Sequence, residues 1–389
     1  MQAAKSAGGC LPSDEDSLLL KACLLPPGDA IAAWKQWKYS HTLDGMDEAL
    51  HRHLPLLYRN LKDAHYNEPD LPLLLGVYRY NWYAAQKLFH TVEQVLKQLR
   101  MAGIPTLLLK GLALSHVYYP DPCTRCMDDG DILVPIECAD AAIATLLNTG
   151  WKPLIALKKN HTHTSHGSSY INLTGHQIDL HWRLFQDCPQ NDDNFWKRAI
   201  PLQFRSEPTL TLCATDHFFH TCIHGYAWNY MHPLRWVADA FLILKKSATT
   251  IDWPYLVELA KQRRYSLRFS KSLDYLRTRW NADIPTQMIE QLQAIPNSSF
   301  EHYEHKILTE LDRPSNAILR MTKQIIWELK KVWCLQHRLY PNDSLVCRML
   351  AYPSMLGTEM RLKNVWHFPI AGIHYLKRIS RPFSKSAKI

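Results

Sequence analysis

The chain has 389 residues, 47% of them hydrophobic and 21% charged, with a formal net charge of +9. That is enough apolar material for a sizeable core spread over two or three domains, and too much for a disordered or low-complexity chain. No uninterrupted apolar run reaches about eighteen residues, so no membrane-spanning helix is expected, and the first twenty residues carry no apolar stretch before Cys10, which argues against a signal peptide or lipid anchor.

Residues 14–100 read as helical. "EDSLLLKACL", "MDEALHRHLPLLYRNL" and the long run from Leu71 repeat apolar residues at three- and four-residue spacing until Gly103. The pattern then changes. "IPTLLLKG" (104–111) is a short buried strand ending at glycine. "LALSHVYY" is a helix stopped by Pro120 and Pro122, and "DILVPI" (131–136) is a strand. "CADAAIATLLNTG" closes a helix at Gly150, and "WKPLIALK" reads as a strand. "SSYINLTGHQIDLHWRL" (168–184) is a hairpin turning at Thr174-Gly175. From about residue 190 the helical pattern returns. The expected fold is α+β, with a small mixed-sheet core over 101–186 between an N-terminal helical region (1–100) and a helical domain (187–330), followed by a basic helical region and tail (331–389). Ten scattered cysteines, mostly in apolar settings, read as reduced thiols of a cytoplasmic protein.

Three aspartates crowd one strand edge in "CTRCMDDGDILV" (123–134). Side chains two apart on a strand share a face, so Asp129 and Asp131 point together, with Gly130 facing the other way. A third carboxylate, Asp179, lies on a strand of the expected hairpin. If those strands neighbour one another, the three surround one site, and like charges at a buried edge need a cation. Oxygen ligands of this kind suit Mg²⁺, with Mn²⁺ as an alternative. The competing readings are a solvated acidic loop or helix caps.

The order of "LLLKGLAL", "RCMDDGDILV" and "HQIDLHWRL" resembles the nucleotidyltransferase superfamily with the DNA polymerase β-like fold. More narrowly it resembles a bacterial family of uncharacterised nucleotidyltransferases, over residues 106–184 and more loosely over 210–245. The resemblance implies a polymerase β-like core and metal-dependent transfer of a nucleoside monophosphate from an NTP such as ATP, with pyrophosphate release. It implies Asp129, Asp131 and Asp179 as the catalytic, metal-binding carboxylates. It implies Lys110 and Gly111 at the phosphate-holding turn, Arg125 on the phosphates, and His181 and Arg183 on the substrate wall. The superfamily's turn serine is missing, since Leu112 follows Gly111, and Ser115 is the nearest hydroxyl for the nucleotide. Relatives act in peptide-modification or surface-polysaccharide pathways, which suggests a small molecule, peptide or carrier as acceptor. Asp128 reads as an outer-shell ligand or a solvated loop residue.

Other features are weighed separately. Cys123-x-x-Cys126 lacks a second ligand pair for zinc, although His116 and Cys138 are near in sequence. His161, His163 and His166 read as a loop before the hairpin. His217, His220 and His224 share one helix face and offer either a metal set or a packed polar face, and Arg235 and Asp239 are spaced as a helix ion pair. No P-loop, dinucleotide fingerprint or nucleophile elbow occurs. Residues 331–389 hold ten basic residues against two acidic ones, a tail suited to nucleic acid or an anionic membrane surface. A nucleotide-binding or scaffold protein without catalysis is the alternative function, and a zinc hydrolase built on the histidine helix is a distant further one.

Overall fold

The computed structural model describes residues 10–46, 48–157, 161–226, 234–309 and 317–359. Within them seven strands form one sheet: β1 (Leu107–Leu108), β2 (Asp129–Leu133), β3 (Lys152–Pro153), β4 (Gly167–Ile171), β5 (Gln177–His181), β6 (Ile200–Phe204) and β7 (Glu207–Thr211). Their order is β3-β4-β5-β2-β1-β7-β6. β2 runs parallel to β5, and β1 runs parallel to β7 and antiparallel to β2. The β4–β5 hairpin turns where the sequence places it. Gly175 takes φ +85°, and the Asn172 side chain accepts from the backbone N–H groups of Thr174 and His176 at 3.1 and 2.9 Å, closing the turn.

The helical reading of the chain from residue 190 fails over 200–211, which forms the β6–β7 hairpin. The cause is an inverted pattern. The buried positions of β7 are Glu207, Thr209 and Thr211, so no apolar alternation marks the strand. Each inward polar group has a partner instead: Arg100 donates to Glu207 at 2.8 Å, Thr209 bonds Thr106 at 2.8 Å, and Thr211 bonds His217 at 2.8 Å.

One face of the sheet is apolar. Leu108, Ile132, Tyr170, Ile178 and Leu180 pack against Val92, Leu96 and Leu99 of the helix Leu71–Met101 and Leu146 of the helix Ala139–Asn148. Gly130 makes this approach possible. A Cβ there would lie 2.6 Å from Val92 Cγ2 and 3.1 Å from Leu112 Cδ1. Gly130→Ala should therefore destabilise the protein by about 1–3 kcal/mol through overpacking. A thermal melt checks this, and adding Val92→Ala should recover part of the loss because the two sites couple through one contact.

On the other face, Leu107 and Leu133 join a core that contains Leu19, Trp34 and Leu57 together with Phe218, Val237 and Phe269. Helices from both ends of the chain thus share one interior and leave the charged part of this sheet face between them. The helix Ala317–Leu339 runs through residue 330, where the sequence suggested a boundary, and is tied to the rest by a buried ion cluster. Arg338 binds Glu304 at 2.5 Å, and Arg268 reaches both Glu304 at 2.7 Å and Asp187 at 2.9 Å. Arg338 is therefore buried among acids and is not part of a free basic surface. Most of the basic tail, residues 360–389, lies outside the described residues. No helix among the described residues is long and apolar enough to cross a membrane.

Candidate active site

The parallel register of β2 and β5 sets Asp129 beside Gln177, Asp131 beside Asp179 and Leu133 beside His181. Asp131, Asp179 and His181 each offer a ligand atom within 4.8 Å of the others. Asp129 shares their sheet face one pair further along and lies outside that close group. Asp131 is the hub. It is 5% exposed, its Oδ1 accepts from Lys110 Nζ at 2.6 Å, and His181 Nε2 lies 2.9 Å from the same oxygen. His181 Nδ1 is buried without a partner, and Gly167 leaves room for the ring, since a Cβ at residue 167 would sit 2.9 Å from Nδ1.

Lys110 reaches Asp131 from an unusual backbone. It opens the helix Lys110–Val117 with φ +44°, a left-handed conformation that a lysine rarely adopts. The next residue is a closely packed glycine: a Cβ on Gly111 would lie 2.5 Å from Arg125 Nη1 and 2.8 Å from Met127, so one or both side chains would have to move. Arg125 in turn grips Asp239 with Nε and Nη2, both at 2.8 Å, while Tyr119 donates to Asp239 at 2.7 Å. This buried fork fixes the strand-to-helix turn to the helix Leu234–Ser247.

Charge separates the two aspartates. Burial, and then the charges of Asp131 and Asp179, push the Asp129 carboxyl up to about 7. Burial also raises Asp131, but the Lys110 charge and the His181 contact outweigh it and hold that carboxyl below the usual range. Burial lowers Lys110, yet the Asp131 charge prevails and raises it. The site is short of positive charge at Asp129 and matched at Asp131.

Two clefts meet at Lys110 and His224. The larger, about 230 Å³, is bordered by Gly111, Asp129, Asp131, Arg52, Arg125 and Arg235. The other, about 180 Å³, is bordered by His166, His181, Phe185, Asp187, Arg268 and Lys331.

The chain matches the model of a family described as uncharacterised nucleotidyltransferase over residues 49–281. It belongs to that family. It is thus a transferase of nucleotidyl groups with a nucleotide as substrate, and its α+β fold agrees with a nucleotidyltransferase core. No curated protein matches the chain in sequence.

The structure of this nucleotidyltransferase brings together most of the residues singled out in its sequence. Asp129, Asp131, Asp179, Lys110, Gly111 and His181 stand at one place on the sheet. Arg125 borders the larger cleft, but two of its three nitrogens are already held by Asp239. Asp239 therefore pairs with Arg125, 114 residues away, and not with Arg235 on its own helix. Ser115 is fully buried, its hydroxyl donates to the Leu112 carbonyl at 3.0 Å, and it borders neither cleft. Arg183 is half-buried and also borders neither. Asp128 is exposed and pairs with Arg52.

Among the described residues no other trio of His, Cys, Asp or Glu converges as Asp131, Asp179 and His181 do. Cys123 is buried and Cys126 half-buried, both as free thiols, with burial pushing them up to about 11 and 12. The histidine helix face splits: His217 bonds Thr211, whereas His220 and His224 border the larger cleft. Sequence reading missed Arg52, Asp187, Arg268 and Lys331. Each reaches the clefts through tertiary packing from a segment with no motif of its own.

Proposed function

We propose that this nucleotidyltransferase moves a nucleoside monophosphate from an NTP to a hydroxyl or phosphate of a small molecule, peptide or carrier, releasing pyrophosphate. The observation that carries this reading is the register of β2 on β5, which sets Asp179 beside Asp131, itself on the border of a cleft lined with arginines. The residues fit a divalent cation. Asp131 and Asp179 present oxygens at one point, and Asp129 beside them lacks a matching positive charge. Mg²⁺ would take carboxylate oxygens of Asp129, Asp131 and Asp179 and keep waters, and Mn²⁺ would also accept the His181 imidazole. The chemistry a cation held there would supply is neutralisation of the triphosphate and polarisation of the acceptor oxygen.

The chain's own groups do the rest. Gly111 lets Arg125 and Met127 pack against the turn at the border of the larger cleft, and Arg125 is anchored there by Asp239. Lys110, bonded to Asp131 and bordering both clefts, would supply positive charge to the phosphates if a cation took its place on that carboxylate. The smaller cleft takes the acceptor beside His181, and Asp179, two residues before His181 on the same strand face, is the proposed acceptor of its proton. Catalysis is then mostly positioning and charge neutralisation.

The test is pyrophosphate release from each of the four NTPs with Mg²⁺ or Mn²⁺ and a pooled cell extract as acceptor source. Wild type should release pyrophosphate, a chelator should stop it, and Asp179→Asn should slow it by about 100-fold. Tight NTP binding without release under any of these conditions would instead support the binding-only reading.

A further inference from the structure

The larger cleft holds more cation than its acidic lining explains. Arg125 is matched by Asp239, and Arg52 is matched at the rim by Asp128, whose side chain is 67% exposed. Arg235 has neither kind of partner. Among the described residues it makes no hydrogen bond and no ion pair, although it borders the cleft. Burial, and then the charges of Arg125 and Arg52, draw its guanidinium below the usual arginine range. An arginine crowded by arginines and half-shut away from water lacks an anion.

Two further polar groups lie within the wall of the same cleft. His220 Nε2 and Thr221 Oγ1 are buried without partners, their residues 2% and 6% exposed, and both residues border this cleft. Buried polar atoms left without bonds are costly unless a ligand satisfies them. Burial and the nearby His224 and Lys110 keep the His220 ring neutral, so it offers either a donor or an acceptor. Asp129 and Asp131 border the cleft too, and without a metal they repel an anion. The unmatched guanidinium therefore belongs to a ligand whose charge lies toward Arg235.

We infer that Arg235, with Arg52 beside it and His220 and Thr221 in the wall behind, forms a polyphosphate site that takes the two terminal phosphates of the NTP and the departing pyrophosphate. The site works without a divalent cation. It rests on the nucleotidyl-transfer reading above and extends it by naming what grips the leaving group. A guanidinium fork suits two phosphate oxygens at once, as a pyrophosphate group presents them.

The experiment is calorimetric titration of the full chain with inorganic pyrophosphate in the presence of chelator. Wild type should bind. Arg235→Ala should weaken binding at least about tenfold, as expected for loss of a charge-assisted bond, and Arg235→Lys should recover part of it. Asp131→Asn should bind as well as wild type or better, since it removes a repelling charge. A thermal melt of each variant separates lost binding from lost folding, and Arg235→Lys keeps the question open to decision should the alanine variant not fold. The proposal is overturned if wild type does not bind pyrophosphate without metal, or if folded Arg235 variants bind it unchanged. Loss of turnover in Asp131→Asn alongside unchanged pyrophosphate binding in Arg235→Ala would sink this site and leave the transfer reading standing.

Discussion

Asp131→Asn should lose turnover by at least about 1,000-fold and also weaken the fold by about 3 kcal/mol, the lower end of what breaking a buried ion pair costs. Both effects come from one oxygen. Asp131 Oδ1 receives Lys110 Nζ at 2.6 Å and lies 2.9 Å from His181 Nε2, and the three side chains are 7%, 24% and 7% exposed in that order. An asparagine keeps an acceptor there but removes the charge that holds the Lys110 ammonium inside the protein. Asp129 and Asp179 still face Lys110 and soften the loss, which is why the lower figure applies. The sign with pH is fixed by the depressed Asp131 carboxyl. Its contribution is present above about pH 4, the unfolded value, and fades as pH falls toward the folded one. Urea unfolding in chelator should therefore show a gap between wild type and variant at pH 7.5 that shrinks on acidification. Adding Lys110→Met should restore much of the stability and none of the turnover, because the double variant has no unmatched cation but still lacks the central carboxylate of the metal site. Turnover near wild type in Asp131→Asn would end the metal-carboxylate mechanism.

Legibility in the sequence followed the range of the interactions. Asp129 and Asp131 share a face because strand side chains alternate, and two residues of spacing suffice to say so. The β4–β5 turn was readable because Asn172 and Gly175 act locally. That β5 would lie beside β2, bringing Asp179 to Asp131, is a register 48 residues long, and only the order of the three motifs hinted at it. The β6–β7 hairpin was hidden because Glu207, Thr209 and Thr211 point inward and find polar partners, which no alternation of apolar residues announces. Asp239 was drawn to Arg235 by helical spacing, yet a fork from Arg125 in a loop wins, since two parallel bonds and one from Tyr119 satisfy a buried carboxylate better than one neighbour on its own helix. Ser115 looked available from its distance to the turn, but its position on the helix turns it into the core. Lys331 enters the smaller cleft from a helix that lies beyond the family-matched residues, so nothing in the three motifs pointed to it.

Asp129→Asn should behave in the opposite way to its neighbour in the metal-free protein: turnover falls by at least about 100-fold, yet the fold gains stability. Burial and the charges of Asp131 and Asp179 push the Asp129 carboxyl up to about 7. The folded protein therefore keeps this proton after the unfolded chain has released it. Stability falls as pH rises from about 4 to about 7 and stays lower above that, the reverse of the Asp131 case. Asparagine is a neutral stand-in for the protonated acid, so in chelator at pH 8 the variant should melt a few degrees above wild type, on the order of 1 kcal/mol, and the difference should vanish near pH 4. Mg²⁺ reverses the ranking. It supplies the positive charge that Asp129 lacks, raises the melting temperature of wild type and does little for the variant. Because the cation displaces a proton, its affinity for wild type should tighten as pH rises through about 7, with proton uptake by the buffer measurable in the same titration. If Asp129→Asn melts below wild type at pH 8 in chelator, Asp129 is a structural acid with a partner of its own. If it melts above and no longer responds to Mg²⁺, the strain of three crowded carboxylates is the metal site, held ready by the sheet before the ion arrives.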